Sequence, residues 1–129
     1  YKEGLKGLPV QMNPYDEANS EPNFWLSCML IDRDALCRQV RGEQDALYIS
    51  EPGKSCPTEI LETLSKYNAE GRPVWKPMHK QPVYKGAPVY TNGIEEEIFK
   101  VGFCLPAGPW VTDDDVHYIV ESIKEAIVK

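Results

Sequence analysis

Residues 72–84 have the sequence RPVWKPMHKQPVY, which combines three prolines with two aromatic residues, a histidine and several charged residues. Proline fixes φ and removes a backbone donor, so Pro73, Pro77 and Pro82 exclude a helix. They predict an extended strand that runs into a rigid loop. A segment of this composition is typical of the wall of a binding pocket.

Side chains of an extended chain alternate between its two sides. We therefore expect Trp75 and His79 on one side of the segment. Arg72, Lys76 and Met78 should point to the other side. His79 follows Pro77 closely, and its ring is predicted to be held in place before any ligand arrives. A histidine in such a loop also has a plainer use, which is to satisfy a backbone carbonyl.

Apolar spacing around this segment predicts three helices. The first runs from Pro57 to Glu70, is stopped by Gly71 and leads into the strand at 72–84. The second covers Glu95 to Val101. The third follows Thr112, which is predicted to form a capping box with Asp115. Its buried stripe consists of Val116, Ile119, Val120, Ile123 and Ile127.

Two further apolar runs predict strands. Phe24 to Ile31 is apolar on both sides, so we expect a central strand that is buried on both faces. Phe103 to Leu105 is a short strand before a turn of prolines and glycine. Between them, Asp34 to Val40 is predicted to form a short helix and Ala46 to Ile49 a short strand, within a polar stretch that resembles an insertion.

The order strand, helix, strand, helix, strand, helix predicts an α/β fold, here an α+β sandwich in which helices cover a small sheet. Residues 1–22 contain several glycines and prolines, and we interpret them as a linker from another domain. Residues 23–129 would then form the domain itself. Because the sequence begins at Tyr1, we expect it to be a piece of a longer polypeptide.

Composition limits the possible partners. The chain has 129 residues, 42% of them hydrophobic, which is enough for a single core. A formal charge of −6 argues against nucleic acid and against an anionic membrane surface as partner. No apolar run reaches membrane-spanning length, and we expect a cytoplasmic protein. The four cysteines include no CxxC pair and are predicted to be reduced thiols.

Neighbouring carboxylates give no metal site. Successive side chains on a helix diverge by about 100°, so neither Asp113, Asp114 and Asp115 nor the three glutamates at 95–97 can converge on one metal ion. Each triplet instead suits a helix N-terminus, where the helix dipole stabilises negative charge. His117 is interpreted as a surface histidine. Gly53-Lys54-Ser55 lacks the earlier glycine of a phosphate-binding loop, since Tyr48 stands in its place.

The chain resembles the C-terminal domain of the DegT/DnrJ/StrS-type sugar-nucleotide aminotransferases, and the resemblance covers nearly the whole chain. It lies in RPVWKPMHKQP at 72–82, in NFWLSC at 23–28 and in GFCLPAG at 102–108. Ala107 stands where the family often has serine and Lys80 where it often has leucine. The fold implied is that of the small domain of fold-type I pyridoxal-phosphate enzymes.

The resemblance implies an enzyme that uses pyridoxal 5′-phosphate to move an amino group, typically from glutamate, onto a nucleotide-linked keto-hexose. UDP-linked 4-keto-6-deoxy amino sugars of surface-glycan synthesis are the implied substrates. The implied partners are the chain's own N-terminal large domain and a second copy in a homodimer. We identify no Ser-x-x-x-Lys segment of the family's kind, so this chain is expected to contain no catalytic residue and to bind no cofactor by itself.

The same resemblance implies that His79, Trp75, Lys76, Met78 and Arg72 line the cleft between cofactor and substrate. Trp75 could equally anchor an interdomain core. Arg72 and Lys76 offer charges for a diphosphate or a carboxylate, but a solvated strand edge explains them equally well. The alternative function is a freestanding, non-catalytic binding module that uses the WKPMH groove.

Overall fold

The main sheet has four antiparallel strands. The computed structural model describes residues 1–41 and 46–128. The strands of the main sheet lie in the order β1-β2-β6-β5. Their bounds are Val10–Met12 for β1, Ser27–Ile31 for β2, Arg72–Pro73 for β5 and Gly102–Leu105 for β6. A separate hairpin pairs β3, Gln39–Arg41, with β4, Ala46–Tyr48. The predicted α+β class is confirmed.

Within the described residues, three α-helices accompany the sheet: α1, Pro57–Lys66; α2, Ile94–Val101; and α3, Asp113–Val128. Helices α1 and α3 cover one face, where Met29 and Phe103 from the sheet meet Ile60 and Ile123 from the helices. All four of these side chains are fully buried. Burial of such side chains stabilises a fold by about 1.5–3 kcal/mol each, so this layer is the core.

Strand β2 is interior to the sheet, as predicted, but it is shorter than the predicted strand. Phe24 has φ 51° and lies outside it, with Trp25 exposed. Met29 faces the core, whereas Leu30 on the opposite face is only partly covered. Leu30 shares a groove there with Ile98 of α2. The expectation that this strand is buried on both faces is therefore wrong, because a single short helix covers the second face.

Two local signals were interpreted wrongly. The predicted helix at 34–40 is instead a short 3-10 turn, Arg33–Ala35, followed by β3. Helix α1 ends at Lys66 rather than at Gly71, because Asn68 takes up the left-handed conformation with φ 59°. Gly71 has another role, since a Cβ there would lie 2.6 Å from Leu61 Cδ2.

Helix α3 begins as the sequence predicts. The Asp115 amide donates to Thr112 Oγ1 at 3.2 Å, and the Thr112 amide donates to Asp115 Oδ2 at 2.9 Å. This is the expected capping box. The predicted apolar stripe is buried from Ile119 to Ile127, with Val116 half-buried at its start. The strand predicted at 103–105 and the helix predicted at 95–101 are confirmed to within one residue.

Residues 1–22, which we interpret as a linker, also contribute to the fold. They supply the edge strand β1, and Leu5 lies in the core. Cys28, Cys56 and Cys104 are free thiols. Cys28 and Cys104 face each other across β2 and β6 with their Sγ atoms 3.6 Å apart. Burial raises the pKa of Cys104 to about 12. Within the described residues, no helix is long and apolar enough to cross a bilayer.

Candidate functional site

The segment at 72–84 is less extended than its prolines suggest. Only Arg72–Pro73 pairs in the sheet, as the edge strand β5. The chain then forms two 3-10 turns, Met78–Lys80 and Pro82–Tyr84. A 3-10 turn advances three residues per turn, so the alternation of side chains ends at Pro77. The predicted grouping of Trp75 with His79 is therefore wrong.

His79 packs against the start of α2. Its side chain is only 18% exposed, and Nε2 lies 2.8 Å from Glu96 Oε1. Nδ1 lies 3.6 Å from Glu95 Oε1. An ionised carboxylate can only accept, so Nε2–H is the donor to Glu96. The Glu96 carboxylate thus holds the ring from a different element of the fold, while Glu95 lies near Nδ1 without a hydrogen bond to it.

Glu96 joins two residues of the segment. Besides His79 it binds Lys80, whose Nζ lies 3.1 Å from Glu96 Oε2. Hydrogen bonds from His79, and next from Lys80, lower the pKa of the Glu96 carboxyl below its ordinary 4.5. The pKa of Glu95 is lowered mainly by a hydrogen bond from Thr91. Both glutamates therefore carry a negative charge at neutral pH, and Glu96 holds the segment on α2 through His79 and Lys80.

The other predicted residues do not gather around His79. Trp75 is 68% exposed and Met78 59% exposed. Arg72 is bound by Glu70 at 2.5 Å, and both side chains of that pair are exposed. Lys76 lines a cavity together with Lys80 and with Glu96, the residue that binds His79. The structure thus separates the five candidates into a fixed histidine, a cavity lysine and three side chains at the surface.

The sequence pattern did not predict that Glu95 and Glu96 lie beside His79. We interpreted them as residues that suit the helix dipole, and they are indeed in the first turn of α2. The available signal was the turn before α2, where Gly93 has φ 82° and Ile94 is held by Asn92 Oδ1. A tight turn after the proline-rich segment predicts that the helix returns along it.

Two further sequence interpretations concern ionisable groups. His117 is exposed on α3, as predicted. Among the described residues, no group of three or more His, Cys, Asp or Glu side chains is placed to hold a metal ion. The candidate site contains an imidazole, carboxylates and lysines.

Known proteins resemble the chain in sequence. A model of the DegT/DnrJ/EryC1/StrS aminotransferase family matches residues 1–124. EpsN of Bacillus subtilis (strain 168), named as a pyridoxal phosphate-dependent aminotransferase, is 39% identical over 69 residues. That match covers 50% of this chain and 18% of EpsN.

Solved structures show the same fold. DesI, solved in the presence of its TDP-sugar product, superposes with a TM-score of 0.75 at 19% identity, over 100% of this chain and 29% of that chain. Spr1654 from Streptococcus pneumoniae, described as a sugar aminotransferase in its PMP form, gives 0.70 at 17% identity, over 98% of this chain and 28% of that chain. This chain therefore spans less than a third of the length of these relatives. On the match to residues 1–124, the chain belongs to the DegT/DnrJ/EryC1/StrS aminotransferase family.

Proposed function

We propose that this chain is the small C-terminal domain of a pyridoxal-phosphate-dependent enzyme that transfers an amino group to a nucleotide-linked keto-hexose. Glutamate is the proposed donor and surface-glycan synthesis the proposed setting. The full enzyme would be a cytoplasmic homodimer in which each chain also has a large N-terminal domain. Residues 23–129 would form the small domain and residues 1–22 the approach to it.

One observation supports the proposal: His79 lies within the WKPMH motif, and a hydrogen bond to the Glu96 carboxylate of α2 fixes its ring. A side chain held in one orientation binds a ligand without paying the entropy of ordering itself. The DesI structure supports the substrate class, because that relative was solved with a TDP-sugar product. The freestanding binding module is not favoured, since the family match extends over nearly the whole chain.

Two lysines near the candidate site, Lys80 and Lys100, do not fit a Schiff base with the cofactor. Such a lysine needs a neutral, nucleophilic amine. Lys80 is paired with Glu96 and Lys100 with Glu97, at 3.1 and 2.6 Å, which favours the charged amine. We therefore assign the cofactor lysine to the part of the enzyme outside this chain and derive no reaction step from the residues described.

One stretch has the bare Ser-x-x-x-Lys spacing. It runs from Ser50 to Lys54. Lys54 ends a tight turn in which its amide donates to the Glu51 carbonyl at 3.1 Å, and its charge helps to lower the pKa of Glu51. It lies in the segment before α1 and does not line the cavity beside Lys76. Spacing alone therefore does not make Lys54 a cofactor lysine.

The test is the substitution His79→Ala in the full-length enzyme. Loss of a hydrogen bond to a charged group corresponds to about a ten- to hundred-fold decrease in kcat/KM. The control is Trp75→Phe, which keeps apolar bulk at an exposed position and should cost less. A His79→Ala enzyme with unchanged kcat/KM and a lowered Tm would show that the histidine is structural and would refute the assignment.

A further inference from the structure

Two cysteines face each other in the middle of the main sheet. Cys28 of β2 and Cys104 of β6 are register partners, and their Sγ atoms lie 3.6 Å apart. A disulfide has an S–S distance of about 2.05 Å. The two sulfur atoms therefore have to approach each other by roughly 1.5 Å, a movement that rotation of the two side chains about χ1 can provide.

The backbone geometry around Cys28 suits a bond between the two strands. The Cys28 amide donates to Asn13 Oδ1 at 2.7 Å, and the Asn13 amide donates to the Cys28 carbonyl at 2.8 Å. Both backbone groups of Cys28 thus point toward Asn13 and away from β6. Opposed residues of this kind form a non-hydrogen-bonded pair, whose Cα atoms lie about 4.5 Å apart. That separation falls within the Cα range of disulfides, about 4.4–6.8 Å.

The two thiols differ in how easily a reagent reaches them. Side chains alternate along a strand, so both cysteines lie on the sheet face opposite Met29 and Phe103, the face that α2 covers only in part. Cys28 is half-buried and lines the groove beside Ile98 of α2. Cys104 is only 8% exposed. A small thiol reagent therefore meets Cys28 first.

The environment of Cys104 also sets the order of reaction. Burial, followed by a hydrogen bond with Cys28, raises the pKa of the Cys104 thiol to about 12. Since the thiolate is the nucleophile, Cys104 is unreactive toward reagents in solution near neutral pH. Attack on a sulfur atom held beside it is favoured by proximity, because groups placed together in one chain react as if at very high concentration. Cys104 is thus suited to close a bond that Cys28 has begun.

We propose that Cys28 and Cys104 form a reversible oxidation site, which a low-molecular-weight disulfide converts to an intrachain disulfide. Cys28 attacks one sulfur of the reagent and displaces the first reagent thiol, which leaves a mixed disulfide on Cys28. Cys104 then attacks Cys28 Sγ and displaces the second reagent thiol. The two cysteine sulfurs lose two electrons, the reagent disulfide is reduced to two thiols, and the two cysteine protons end on those thiols. The proposal does not rest on transaminase activity.

Peptide mapping of the full-length protein after incubation with oxidised glutathione tests this. Trypsin places the two cysteines in separate peptides, 7–33 and 101–124, each of which has no other cysteine. We expect the two peptides to become joined with the loss of two hydrogen atoms, and dithiothreitol to separate them again. Peptides that stay unlinked at millimolar oxidised glutathione would overturn the proposal, as would a link from Cys28 to a second chain.

Two variants test the order of the steps. Cys104→Ala should stop the reaction after the first step and retain one glutathione on Cys28. Cys28→Ala should leave Cys104 as a thiol, because Cys104 is too buried to react alone. Glutathione on Cys104 in the second variant, or none on Cys28 in the first, would contradict the mechanism.

The matched control is Cys56→Ala. It removes a thiol that is 0% exposed and lies outside the pair, so the link between peptides 7–33 and 101–124 should form to the same extent as in the unmodified protein. Loss of the link in this control would show that the pairing is not specific to Cys28 and Cys104. If a variant fails to fold, the mapping of the unmodified protein still decides the proposal, because it needs no substitution.

Discussion

Gly102 determines how closely α2 can approach the sheet. It starts β6 directly after the last residue of α2, with φ −103°, a conformation that alanine adopts without strain. A Cβ at this position would lie 2.7 Å from the Ile98 carbonyl oxygen, 3.0 Å from Leu30 Cδ2 and 3.1 Å from Val74 Cγ1. The first of these neighbours is backbone, so it cannot move aside by a change of rotamer.

We therefore expect Gly102→Ala to destabilise the chain by about 3 kcal/mol, the upper end of the usual range for overpacking a core. For a chain of 129 residues, this corresponds to a decrease in Tm of roughly 10 °C. Thermal unfolding followed by circular dichroism measures this decrease in Tm. Since α2 carries Glu96, a displaced helix should also shift the NMR signals of the His79 ring.

Gly4→Ala is the matched control. A Cβ there would meet only the side chain of Val120, whose nearest atom would lie at 3.0 Å. Gly4 and Val120 are both outside α2. Because this contact involves methyl groups, the expected cost is less than about 1.5 kcal/mol. The reasoning is refuted if Gly102→Ala is no more destabilising than Gly4→Ala, or if it lowers Tm while the His79 signals stay unchanged.

Three further predictions follow from the core, the helix cap and the His79 contact. Phe103→Ala should lower the free energy of unfolding in urea by about 3–5 kcal/mol, because Phe103 is 0% exposed; a loss below about 1 kcal/mol would contradict this burial. Thr112→Ala should lower the free energy of unfolding by about 1 kcal/mol. It should also raise the pKa of Asp115 toward its ordinary 3.8, because hydrogen bonds from Thr112 lower that pKa. NMR titration measures the pKa, and an unchanged value would disprove the influence of the cap. The lowered pKa of Glu96 means that its contribution to stability is present above pH 4.5 and is lost as pH falls through the folded-state pKa. His79→Ala should raise that pKa, and Glu96→Gln should weaken the loss of stability in acid; if neither happens, the contact is not formed in solution.

The elements that the sequence predicts best are those with local causes. The cap of α3 depends on residues three apart, Thr112 and Asp115, and its apolar stripe on residues three and four apart. Strand β6 is a short buried run that a turn ends. In each case the physical signal lies within one turn or one strand, so neighbouring residues carry all of it.

The prediction of a helix at 34–40 is wrong because the backbone of this stretch pairs with a segment that is distant in the sequence. The Cys37 amide donates to the Ser55 carbonyl at 2.9 Å, and the Ser55 amide donates to the Ala35 carbonyl at 2.9 Å. Backbone groups that a helix would have paired locally are thus bound by a segment almost twenty residues later. Single-sequence periodicity contains no information on such a partner, and tertiary pairing overrides the weak helical preference.

The prediction of the candidate site is partly right and partly wrong, and the same distinction between local and distant causes explains both outcomes. The prolines predict that the ring is held in place, and His79 is hydrogen-bonded to Glu96. However, Glu96 lies 17 residues further along the chain. The sequence gives the glutamates at 95–97 a sufficient local role at the helix N-terminus, so nothing in their spacing requires a second one. The first turn of α2 satisfies both demands at once, because a carboxylate favoured by the helix dipole stays ionised and is then a ready acceptor for an imidazole N–H. A helix start placed beside a rigid histidine loop is therefore a way to orient that histidine without adding another charged residue to the chain.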